Sequence, residues 1–122
     1  MSEQQLDVIV KAGNLMEYSM RVTSNRKRYP VKYLQLIKRI QNKSIDIYEF
    51  LLEANRTQLH TSKAERLELQ TKAITACDKL SRFIEMSLNL NIIGSDTSEH
   101  WQSQINDVKY MTIAWRDKDR RR

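Results

Sequence analysis

The chain has 122 residues, 21 of them basic and 15 acidic, with two glycines, one proline and one cysteine. Its length is that of about one domain, enough for a single core without metal or disulfide staples. So few backbone punctuators exclude an all-β fold, and the lone Cys77 excludes an intramolecular disulfide and points to a reducing compartment.

The opening Met1-Ser-Glu-Gln-Gln has neither the basic nor the apolar region of a signal peptide. No apolar run approaches the roughly 20 residues that span a bilayer. A soluble cytoplasmic protein is expected, with no membrane partner.

A first helix is predicted from about Gln4 to Thr23, where Leu6, Ile9, Gly13, Met16, Met20 and Thr23 recur in three- and four-residue steps. Gly13 in that line weakens the helix by about 1 kcal/mol against alanine and suggests close approach of a neighbour. Ser24 to Tyr29 reads as a basic connector. Pro30 suits the first turn of a second helix, which should run to about Asn55. Its apolar line is Tyr33, Ile37, Ile40, Ile47, Leu51 and Ala54, widened by Leu36, Tyr48 and Leu52. A polar connector covers about Arg56 to Ser62.

The third helix is predicted from Lys63 to Asn91. Leu69, Ala73, Ala76, Leu80, Phe83, Ser87 and Leu90 form one stripe, with Ile74, Cys77, Ile84 and Leu88 beside it, as a helix touching two neighbours requires. Gly94 is placed for the left-handed residue that ends a helix. Asp96 and Glu99 suggest a capping box opening the fourth helix. Its buried face is Trp101, Ile105, Val108, Thr112 and Trp115, and it runs into an Arg-rich tail at 116–122. Four long helices on short connectors predict one all-α domain over residues 1–122, an antiparallel up-down four-helix bundle.

The charge is unevenly distributed. Arg26, Lys27, Arg28, Lys32, Lys38, Arg39 and Lys43 fall in one acid-free stretch, and the rest of the chain carries 14 basic residues against 15 acidic. At about 100° per residue, Lys32, Arg39 and Lys43 share a narrow arc beside the apolar stripe, joined by Arg28 if the helix starts early. Such a surface suits a phosphate backbone. The other reading is a solvated face balanced by Glu17, Glu49 or Glu53. An acid-free run of seven cations favours the first.

A second basic cluster, Arg116, Lys118, Arg120, Arg121 and Arg122, closes the chain. It suits phosphate, a mobile solubilising end, or the negative end of the helix dipole. Tyr29, Tyr33 and Tyr110 read mainly as core or rim, with base stacking the alternative.

The candidate nucleic-acid-binding residues are therefore Arg26, Lys27, Arg28, Lys32, Arg39, Lys43 and the five tail cations. His60 and His100 sit in no metal spacing, and Cys77 lies on a buried face. The pairs Glu65/Glu68 and Asp117/Asp119 read as surface charges. No catalytic or cofactor motif is present, so a binding protein without cofactor or metal is expected.

Several segments resemble a known family: Arg28-Tyr29-Pro30 opening a basic helix, then Ile47-Tyr48-Glu49 leading to Leu51-Leu52-Glu53-Ala54-Asn55. The closing segments are Asp107-Val108-Lys109-Tyr110-Met111-Thr112 and Ala114-Trp115-Arg116. Together they resemble the small bacterial and phage four-helix-bundle proteins. These include the accessory variability determinant (Avd) of diversity-generating retroelements and proteins encoded in ribosomal RNA intervening sequences. The likeness covers essentially the whole chain. The second branch often carries an Asn-Ile-Ala-Glu-Gly-like segment that this chain lacks, which favours the Avd-like branch. The resemblance implies a homopentameric barrel that binds template RNA, an RNA–DNA hybrid or DNA. It also implies docking to a reverse transcriptase, and a place for Trp115 near a subunit interface. The competing expectation is a structural bundle whose basic face docks an acidic protein.

Overall fold

A computed structural model describes residues 3–122, apart from the side chains of Glu3, Gln4 and Leu6. Among the described residues there are four α-helices and no strand: α1 (Glu3–Thr23), α2 (Leu34–Arg56), α3 (Lys63–Asn89) and α4 (Ser95–Arg120). A short 3-10 turn, Val31–Tyr33, precedes α2. Each helix packs on its neighbours in sequence, and α1 closes the ring on α4, with no close backbone approach across either diagonal among the described residues. The cross-links run antiparallel: Gln5 meets Asn55 and Thr23 meets Gln41, while Arg66 meets Asp119 and Ser81 meets Gln102. This is the expected up-down bundle. No helix is long and apolar enough to cross a membrane.

The bundle therefore has two ends about 35 Å apart, the length of the 23-residue α2. The connector pole joins the end of α1, residues 24–33, the start of α2, the end of α3 and the start of α4. The C-terminal pole joins the start of α1, the end of α2, residues 57–62, the start of α3 and the end of α4.

On α2, Ile37, Ile40, Ile47, Leu51 and Ala54 are buried as expected, and Ser44 fills the gap in the line. On α4, Trp101, Ile105, Val108, Thr112 and Trp115 are all buried. Trp115 is 2% exposed and packs inside its own chain. Both stripes of α3 face neighbours, although Leu90 is exposed.

The expected face of α1 needs correction. The buried line is Val8, Ala12, Leu15, Ser19 and Thr23, whereas Ile9, Gly13 and Met16 are half-buried and Met20 is exposed; Leu6 lies outside the described side chains. The true line is about 100° round the helix and contains small and hydroxylated residues. These hydroxyls are satisfied locally: Ser19 donates to the Leu15 carbonyl and Thr23 to that of Ser19, so burying them leaves no orphaned group. Ser19 Oγ also accepts the indole N–H of Trp101 at 3.0 Å, tying α1 to α4. Gly13 is not needed for close approach, because a Cβ there would meet the Tyr48 ring at 3.6 Å, an ordinary contact.

The ends of α3 and α4 also differ from expectation. The left-handed residue is Asn91, with φ 60°. The Ile92 N–H donates to the Ser87 carbonyl at 2.9 Å and the Asn91 N–H to that of Leu88 at 3.0 Å, which is a Schellman closure. Asparagine tolerates that conformation, and Ile92 is carried into the core beyond it. Gly94 is extended and precedes α4 as its N-cap; no side chain caps the helix. Asp96 lies in the first turn of α4 and the expected capping box is not formed.

Candidate nucleic-acid interface

Residues 24–33 form a folded connector. The Asn25 carbonyl accepts the N–H groups of Arg28 and Tyr29, and its side-chain oxygen accepts that of Lys27. Arg26 donates to the Thr23 carbonyl at 3.0 Å, satisfying an end of α1 that has no helical partner. Arg28 reaches across to the Thr97 hydroxyl on α4 at 3.1 Å. Pro30 is extended and its carbonyl accepts the Tyr33 N–H, so a 3-10 turn forms before α2 begins at Leu34. Arg28 is thus not on α2, and Lys32 does not share its helical phase.

Tyr29 is fully buried, and burial pushes its phenol up to about 12, with Ser87 and Arg28 nearby offsetting part of the shift. It cannot stack on a base. Burial likewise raises the Tyr18 phenol, against the opposing effect of Arg28. Lys32 lies over the half-buried Tyr33 ring, 5.2 Å from its centre. The most exposed tyrosine is Tyr110 on α4, with Lys109 at 5.6 Å from its ring. The hydrogen bond from Lys109 to Asp78 holds that ammonium above its usual range.

Among the described residues, Lys43 is the sole cation of the 26–43 stretch in an ion pair, with Asp46 at 3.3 Å. Lys27, Lys32, Lys38 and Arg39 are exposed without a carboxylate partner. Glu17, Glu49 and Glu53, the expected counter-charges, pair with none of them. Lys38 belongs beside the named candidates, on the same exposed turn as Arg39. The first turn of α2 holds no acidic residue, so its N-terminal dipole adds to the positive field.

The tail cations lie at the opposite pole, so the two predicted clusters do not form one site. Here α4 continues to Arg120, and the tail is largely helix. Arg116 is half-buried and donates to the Thr71 hydroxyl at 3.3 Å; Arg120 lies 3.6 Å from Asp117, and Arg122 lies 4.0 Å from Asp119. Lys118 and Arg121 are exposed and unpaired. Lys63 draws the chain end inward by donating to the carbonyls of Arg120 and Arg122.

Asp119 is no surface charge. It is 1% exposed and accepts from Arg66 Nε at 2.7 Å and Gln70 Nε2 at 2.8 Å. Arg66 also donates to the Thr57 carbonyl and lies over the Trp115 ring at 5.1 Å. The signal was present in the sequence, since Asp119 continues the three-four rhythm of Trp101 to Trp115, and Arg66 and Gln70 share one face of α3. No His, Cys, Asp or Glu cluster among the described residues is arranged to hold a metal.

No family model matches the chain, and no curated protein or solved structure shows significant similarity to it.

Proposed function

We propose that the protein is a non-catalytic nucleic-acid-binding accessory protein of a diversity-generating retroelement, cytoplasmic and homo-oligomeric. It would engage template RNA, its hybrid with cDNA, or DNA, and dock a reverse transcriptase. The observation that carries nucleic-acid binding is the folded connector pole, where a run of cations stands free of carboxylates. The retroelement, its polymerase and a pentameric ring rest on the resemblance of the quoted segments alone. Self-association has one further support: Ile9, Met16 and Met20 form a half-exposed apolar line along α1, and such faces favour contact between subunits.

The deciding measurement is binding to structured RNA, a DNA duplex and an RNA–DNA hybrid across a salt series, with Lys27, Lys32 and Arg39 together changed to Ala. Loss of three phosphate contacts flattens the log–log slope by about 2–3 units. An unchanged slope removes the connector pole from the site. Co-purification with the reverse transcriptase of its own locus tests the retroelement role, and a monomer by light scattering removes the ring.

A second reading, docking of an acidic protein, is favoured by one observation. Met20, Val31, Leu34, Met86 and Leu90 are exposed around the same pole, Val31 by 68% and Leu90 by 47%. Phosphates do not need such side chains, whereas an interface core does. Changing Val31 and Leu90 to Ser leaves RNA binding intact if the pole holds phosphate alone.

A further inference from the structure

A cleft of about 470 Å³ opens between α2 and α3, within the size range of small-molecule sites. Phe50 of α2 lines it, half-buried against the core. Opposite, α3 contributes Glu68, Thr71, Lys72, Thr75, Ala76 and Lys79, none of them a large apolar side chain. Lys43, Lys72 and Lys79 stand at the rim. Lys43 pairs with Asp46 and Lys72 with Glu68 at 3.6 Å, while Lys79 has no ion pair among the described residues.

The cleft lies further along α2 from the connector pole. Lys43 is one turn beyond Arg39 on the same flank of α2, about 14 Å from the helix start. Phe50 is two turns further on, along that flank. An extended phosphate chain following the free cations of α2 would arrive at an aromatic-lined gap edged with ammonium groups. Aromatic side chains beside cations hold unpaired bases by stacking, whereas a base inside a duplex is not available to them.

We propose that the α2–α3 cleft is a binding site for a single unpaired nucleotide. Its base stacks on Phe50 and its phosphate is held by Lys79, with Lys43 and Lys72 contributing from their ion pairs. The carboxylates of Asp46 and Glu68 supply acceptors for N–H groups of the base. The physiological ligand, an unpaired residue of a bound strand, rests on the nucleic-acid reading above; occupancy by a free mononucleotide does not.

The test is titration of the full chain with AMP, and separately with inorganic phosphate, followed by NMR shifts of the Phe50 ring and the Ala76 methyl. AMP saturates these signals at about 1 mM, an affinity suited to one stacked base and one phosphate. Phe50→Leu keeps the apolar contact with the core and weakens AMP by about five- to fiftyfold, as loss of one stacking partner should. Lys79→Ala, at an exposed position, weakens it by about three- to tenfold. The site is overturned if AMP moves neither signal up to about 10 mM, or if phosphate alone reproduces the shifts. It is also overturned if neither variant alters affinity. Saturable AMP shifts without measurable binding to structured RNA, DNA duplex or hybrid at any salt sink the nucleic-acid reading and leave the cleft standing.

Discussion

At one pole Arg26 donates to carbonyls, Arg28 to a hydroxyl and Lys32 lies over an aromatic ring, and among the described residues none of these or of Lys27, Lys38 and Arg39 pairs with a carboxylate. At the other pole Arg66, Arg120 and Arg122 are met by Asp117 and Asp119, and Lys63 closes on main-chain carbonyls. Both poles are rich in cations in sequence. The connector pole leaves its positive field open to solvent, where it can attract a polyanion, while the C-terminal pole spends charge on locking α3 to α4. Position in the fold, and not the count of basic residues, decides which cluster is available to a partner.

The sharpest way to break this contrast is Asp119→Ala. It strips the carboxylate from a buried Arg66, a change that costs about 3–5 kcal/mol. Asp117→Ala, on a half-exposed pair, costs less than about 1 kcal/mol. Denaturant midpoints of the two variants should differ accordingly, and equal midpoints would mean that Asp119 is not the lock. The connector pole has its own buried polar link, weaker because uncharged. Ser19→Ala leaves the Trp101 indole N–H without its acceptor, for an expected loss of about 1–3 kcal/mol, measured by the same denaturation.

Next in size is the binding contrast. Changing Arg120, Arg121 and Arg122 to Ala should leave the salt slope for RNA within about 0.5 of the unmodified chain, against the change of about 2–3 at the connector pole. Equal slopes for the two variants would abolish the distinction between the poles. The smallest effect is alkaline. Burial raises the Cys77 thiol from 9.0 to about 12, and Tyr29 from 10.0 to about 12. Each folded-state value exceeds the unfolded one, so the stabilisation is complete below the unfolded value and is lost as pH rises towards 12. Thermal midpoints should hold to about pH 9 and then fall. In Cys77→Ala the decline should begin nearer pH 10, where the buried Tyr29 and the partly buried Tyr18 remain.

The bundle was readable where large apolar residues mark the buried face, as they do from Ile37 to Ala54 and from Trp101 to Trp115. It was misread on α1, where Ala12, Leu15 and Ser19 occupy the core and Ile9, Met16 and Met20 offer a more hydrophobic line on the flank, although Thr23 is buried as expected. A hydroxyl bonded to its own helix is cheap to bury, so hydropathy alone misplaces the face. The cations of the connector were visible as a run, but their freedom from carboxylates is tertiary. Glu17, Glu49 and Glu53 were near enough in sequence to neutralise them, yet among the described residues none of the three forms an ion pair with them. Asp119 was mistaken for a surface charge because its neighbours Asp117, Lys118 and Arg120 are partly or fully exposed. Only its partner across the helix pair makes its burial tolerable. Phe50 stands off the main stripe of α2, and only the pairing of α2 with α3 brings Thr71, Thr75 and Ala76 to the same cleft.

Cys77 has a consequence for experiment. It is the single thiol, fully buried on α3 between its neighbours, and burial leaves almost none of it as the reactive thiolate at neutral pH. A thiol reagent can therefore modify it only when the central helix pairings open. The rate of that modification is a native clock of bundle opening, readable without labels or mutations. Any ligand that clamps α2 against α3 should slow it, whichever surface it binds.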